Sequence, residues 1–160
     1  MLERRVLVFG RLEEVPDEVD RLLRGHRPLG NWTLAQVVYH VAAVIRVTTL
    51  GRGPVVARPP DRAEEVRRRK FFRDGRFPSG VEIPLEILKP PRGLDAGAEA
   101  DRLRQAIAKF RDFPGPFPAH HILGPMSAQE WERFHQIHCA HHLSHIAPAH
   151  PGESSEEVVI

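Results

Sequence analysis

The stretch that most constrains this chain is MSAQEWERFHQIHCAHHLSHIAP, residues 126–148. It holds five histidines: His135, His138, His141, His142 and His145. Ser127 and Glu130 form a capping box, and Met126 and Trp131 make the hydrophobic staple that accompanies one. Pro148 has no N–H to continue a helical ladder, so the pattern reads as one amphipathic helix that runs up to it. On such a helix His135, His138, His142 and His145 share a face with Trp131 and Ile146. That is the face a helical protein buries. A buried imidazole nitrogen without a partner is costly, so the pattern points to a metal site.

The rest of the chain supplies helices for that one to pack against. Val15, Val19, Leu22 and Leu23 form an apolar stripe on a first helix, with Pro16 near its start and Gly25 after it. Before it, RRVLVFG (4–10) is short and β-branched, a brief strand or an extended lead-in. In GNWTLAQVVYHVAAVIRVTTLG, Thr33 and Gln36 make a second capping box, and the residues to Ile45 are apolar nearly all round. His40 lies in the middle of that helix. From about Asp95 to Asp112, Ala100, Leu103, Ala106, Ile107 and Phe110 recur at helical spacing. The 51–93 segment between them is punctuated by Gly and Pro, with one short helix over 61–72 capped by Asp61 and an extended edge at VEIPLEIL. It reads as a long crossover with a small lid. Residues 149–160 read as a polar tail.

These elements give an all-α expectation: one domain over 1–160, a four-helix bundle with a long crossover between its second and third helices. At 160 residues the length fits one domain with a sizeable core. A net charge of +2 is too small to imply a nucleic-acid partner, and the RRRK run at 67–70 reads as a solvated helix face. No apolar run is long enough for a membrane span, and the N-terminus lacks the apolar core of a signal peptide. One cysteine, Cys139, excludes an internal disulfide and fits a reducing compartment, so the expected location is cytoplasmic.

Spacing narrows the metal ligands. Imidazoles at i and i+4 project side by side, which offers His138/His142 or His141/His145, the first pair nearer the centre of the buried face. His40 lies about 10 Å into its helix, and His142 and His138 lie about 7.5 and 13.5 Å from the far end of theirs. If the two helices run antiparallel, His40 comes level with the gap between His138 and His142. Three neutral imidazoles with an open position fit a divalent ion and do not distinguish Zn, Ni and Fe.

GNWTLAQVVYH, HHILGPMSAQEW and HQIHCAHHLSHIAP together resemble the DinB/YfiT-like metalloenzymes. The resemblance implies a four-helix bundle with an interior ion held by one histidine of the second helix and a His-x-x-x-His pair of the fourth, here His40, His138 and His142. Relatives in that class carry a proline and a phenylalanine where this chain has His121 and Leu123. Some of its better-known members use low-molecular-weight thiols or form dimers, so a homodimer belongs among the expected assemblies.

On this reading the protein is a metal-dependent hydrolase or thiol transferase acting on a small molecule, with His145 and His135 as catalytic candidates beside the ion. The alternative is a non-catalytic metal-binding or ligand-sensing bundle. His141 reads as a polar boundary residue, and His26 and His150 as solvated. The 114–125 loop leads into the start of the histidine helix, about 16–22 Å from the ion, so His120 and His121 are expected to be structural. Access is expected at the other end, beside Trp32 and Pro148, lined by Asn31, Gln36 and His145.

Overall fold

The computed structural model describes residues 3–51, 58–78 and 85–150. It is mostly helical, with five α-helices and one two-stranded sheet among the described residues: α1 (Glu14–Leu23), β1 (His26–Pro28), α2 (Leu34–Val47), α3 (Arg62–Asp74), α4 (Ala96–Asp112), α5 (Ala128–Leu143) and β2 (Ile146–Pro148). A short 3₁₀ turn covers Glu86–Leu88.

Local chemistry sets the helix starts. Thr33, Asp61 and Ser127 each accept the N–H of the residue three positions on, while Gln36, Glu64 and Glu130 reach back to the cap. Asp95 caps α4 in the simpler one-sided way. Gly75 ends α3 at a φ of +61°, the left-handed conformation that an L side chain resists.

The core forms where the apolar stripes meet. α2 buries residues all round, from Leu34 to Ile45, and packs against α4 and α5, while α1 also meets α4 and α5. Val15, Val19 and Leu22 of α1 face this core, but Leu23 is 38% exposed and lies off the stripe. The expected stripe of α4 is buried throughout.

Residues 4–10 form no strand, which leaves the lead-in reading of that stretch. One local expectation fails. The histidine helix stops at Leu143, short of Pro148, and Ile146–Pro148 pairs antiparallel with His26–Pro28 instead. The reason is tertiary, since a three-residue segment gains a ladder partner only when a distant segment lies beside it. Within the 51–93 crossover, α3 appears where a short helix is expected and Asp61 caps it. Of VEIPLEIL, residues 81–84 lie outside the described residues, and the end turns into the 3₁₀ segment. The tail beyond residue 150 also lies outside them.

Candidate metal centre

α2 and α5 run antiparallel. Trp32, just before α2, stacks on His142 late in α5 (5.5 Å between ring centroids), whereas Thr48, just after α2, touches His135 two turns nearer the start of α5. His40 is therefore level with His138 and His142. Its ring centroid lies 5.0 Å from that of His138 and 4.5 Å from that of His142, and those two are 4.6 Å apart. One ligand nitrogen from each residue falls within 4.8 Å of the other two. The height argument and the i,i+4 argument thus converge on one place.

The hydrogen bonds leave nitrogens of this cluster that could hold an ion. His40 Nδ1 donates to the Leu88 carbonyl at 2.7 Å, which leaves a lone pair on Nε2. That nitrogen faces His138 Nε2 at 3.2 Å. Two imidazoles bound tetrahedrally at zinc-like distances would hold their nitrogens about 3.3 Å apart. His138 Nδ1 is buried without a partner. Burial pushes the pKa values of His40, His138 and His142 down, that of His142 to about 2, with the neighbouring histidines adding to the effect at His138 and His142. All three are thus neutral and able to ligate, and the donor set fits a divalent ion.

The Leu88 carbonyl is held in place by α2 itself. Tyr39 Oη donates to the Ile87 carbonyl at 3.0 Å and Gln36 Nε2 to the Pro91 carbonyl at 3.3 Å. Gln36, Tyr39 and His40 form one face of α2 and clamp the end of the crossover. No residue type in the sequence advertises this role for 87–91, because each acceptor is a backbone oxygen.

The cluster opens onto a cavity of about 500 Å³. Its walls are Val44 and Val47 of α2, Phe71 of α3, Trp131 and Phe134 of α5, and the loop from Pro118 to Leu123, with His40, His138, His141 and His142 at one end. The cavity does not reach the expected entrance beside Trp32. Trp32 packs on both His40 (5.2 Å) and His142, and none of Asn31, Gln36 and His145 lines the cavity. The cavity instead reaches His120, His121 and the partly exposed Ile122 and Leu85. The expectation failed because the 114–125 loop folds back along α5, bringing the His120 ring to 5.0 Å from Phe134 and 5.8 Å from Trp131.

This fold-back is held by polar clamps. Trp131 Nε1 donates to the Pro118 carbonyl, Arg67 Nε to that of Ile122 and Arg68 Nη1 to that of Pro125. Arg68 also pairs with Glu130 at 3.2 Å. Two members of the RRRK run therefore hold a wall of the cavity and are more than a solvated face.

The other histidines divide by position. His135 is fully buried, donates from Nε2 to Thr48 Oγ1 at 3.3 Å, and leaves Nδ1 unpartnered outside the cavity lining. His145 lies behind His141, 5.4 Å between ring centroids, near the backbone of Gly30. His141 lines the cavity and accepts from Arg4 at Nδ1, 3.0 Å. His26 Nδ1 donates to the Leu22 carbonyl. Burial raises the thiol pKa of Cys139 to about 12, which keeps it protonated and unreactive.

A family model for proteins of unknown function, DUF1569, matches residues 1–149. The chain belongs to the DUF1569 family. This family is not DinB-like, so the resemblance to the DinB/YfiT-like metalloenzymes is not supported. The motifs behind that resemblance were capping boxes and a His-x-x-x-His spacing, which the physics of helix starts and ion binding can produce in unrelated proteins. No curated protein and no solved structure matches the chain. No helix among the described residues is long and apolar enough to cross a membrane.

Proposed function

We propose that this DUF1569 protein is a metal-dependent enzyme acting on a small molecule, with one divalent ion held by His40, His138 and His142. In this reading α1, α2, α4 and α5 form a four-helix bundle around the ion. The observation that carries it is the convergence of three neutral imidazoles at the end of a cavity large enough for a small ligand. A three-histidine ion with an open position supplies Lewis acidity, lowering the pKa of bound water towards ~7 or activating a thiol, which fits hydrolysis or thiol transfer. His40 is oriented by the Leu88 carbonyl, Trp32 closes the inner side, and the apolar walls exclude water around a bound substrate. His141, on the cavity wall, is the group we place at proton transfer. His145 supports it from behind, and His135 anchors the end of α2 through Thr48.

A second reading, a non-catalytic ligand-binding protein, is favoured by one observation. No carboxylate lines the cavity among the described residues. Elemental analysis of purified variants tests the ion. His40→Ala, His138→Ala and His142→Ala should each lose bound metal at least about tenfold, while His26→Ala and His150→Ala should keep it. Metal retained equally in all five would overturn the assignment. Assays of the metal-loaded protein against neutral esters, and against thiols with electrophiles, then separate the two readings. Turnover that requires metal favours the enzyme, and its absence throughout favours the ligand-binding protein.

A further inference from the structure

The loop wall of the cavity carries a polar group of fixed orientation. His120 Nδ1 accepts two backbone N–H groups, those of Ile122 and Leu123, each at 3.1 Å. A nitrogen that accepts twice carries no proton, so the ring proton sits on Nε2. Among the described residues no acceptor takes that Nε2–H, and His120 lines the cavity. The ring cannot easily turn away. His120 and Gly124 exchange both backbone hydrogen bonds at 2.9 Å, and the ring packs on Phe134, Trp131 and His121. Burial first, and His121 second, push its pKa down to about 4, so the ring stays neutral near pH 7.

The rest of the cavity lining is mainly apolar, with Val44, Val47, Phe71 and Phe134 among it. The ring of Phe134 lies 5.0 Å from His120 and 5.8 Å from His138, so the two imidazole centroids are no more than about 11 Å apart. A purely hydrocarbon ligand would cover the His120 N–H and leave it without a partner, which is unfavourable. A ligand with an acceptor at that point avoids the cost. Sites built around one such donor discriminate strongly between otherwise similar molecules.

We propose that the cavity binds a neutral, mainly apolar small molecule bearing a carbonyl-type acceptor, and that His120 Nε2–H is the residue that reads this acceptor. The inference names the substrate class of the proposed enzyme and rests on that reading only for what happens to the bound molecule, since the binding itself needs no ion.

The test uses two probes that differ only at the acceptor, benzophenone and diphenylmethane, titrated into the full chain. The ratio of their affinities in wild type should fall about three- to tenfold in His120→Phe, which keeps an aromatic ring and removes the donor. His120→Asn can still accept the two loop N–H groups as an Asx turn, but its shorter side chain withdraws the donor, so the ratio should fall there too. In protein labelled with ¹⁵N-histidine, the His120 ring should read as the Nε2–H tautomer, and benzophenone but not diphenylmethane should shift that nitrogen. An unchanged ratio in both variants, an Nδ1–H tautomer, or no binding of either probe would overturn the proposal. Metal content measured on the same samples separates the two ideas. Selective ketone binding by protein that takes up no added Zn²⁺ would sink the metal reading and leave this one standing, and bound metal with an unchanged ratio would do the reverse.

Discussion

At the scale of single residues, burial turns histidine from a charged surface group into a neutral one, and the consequence is readable in acid. His135 is fully buried and its pKa is pushed down to about 3, by burial first and by His120 second. In the unfolded chain the same ring titrates near 6.5. Below that value the unfolded state takes up a proton that the folded state refuses, so stability is full above about 6.5 and is lost as the pH falls towards 3. His135→Leu should therefore change the Tm little at pH 8, because it also removes the unpartnered Nδ1, and should flatten the fall in Tm between pH 6.5 and 4. Thermal melts across that range check it. A steeper fall in the variant than in wild type would count against the argument. Bound metal should be unaltered, since His135 stands outside the ligand cluster.

At the scale of elements, the surprise lies in the crossover. Its end is pinned to one face of α2 by Tyr39 and Gln36, which sets the Leu88 carbonyl against His40 Nδ1. A partner on the second nitrogen of a ligating histidine fixes the ring and raises its basicity, and removing such a partner commonly costs 10–100-fold in metal affinity. Tyr39→Phe deletes one clamp without touching a ligand. It should weaken metal binding by a few-fold, up to about tenfold, with less than about 1.5 kcal/mol lost in stability. Competition with a metal chelator, alongside a urea melt, reads both numbers. Equal metal affinity in the variant and wild type would show that the 87–91 segment does not orient His40. α3 acts similarly on the other wall, where Arg67 and Arg68 hold the backbone of the loop that carries His120.

At the scale of the whole molecule, an ion shared by α2 and α5 would tie together helices that lie about a hundred residues apart in sequence. Ligand that binds only the folded state stabilises it by mass action, about 2.7 kcal/mol at a hundredfold excess over Kd. Adding Zn²⁺ to the metal-free protein should therefore raise the Tm by several degrees at pH 7.5, and His40→Ala should abolish the rise. The rise should persist into mild acid, because burial holds the three site imidazoles neutral well below the usual histidine range. A Tm rise of the same size in His40→Ala would mean that zinc binds elsewhere.

What the sequence determined by itself was local. The capping boxes at Thr33 and Ser127, the cap at Asp61, the stripe of α4 and the His138/His142 pair all rest on interactions within four residues, where side-chain identity and spacing carry the information. Even the level of His40 followed from rise per residue once the helices were taken as antiparallel. The end of α5, the pairing of 26–28 with 146–148, the packing of Trp32 on the site histidines and the cavity beside His120 were decided only by the tertiary structure. The physical reason lies in the acceptors. The contacts that fold the connector and the 114–125 loop onto the site run to the backbone oxygens of Leu88, Pro118, Ile122 and Pro125. Every residue offers such an oxygen, so no residue type marks where a distant donor will find it.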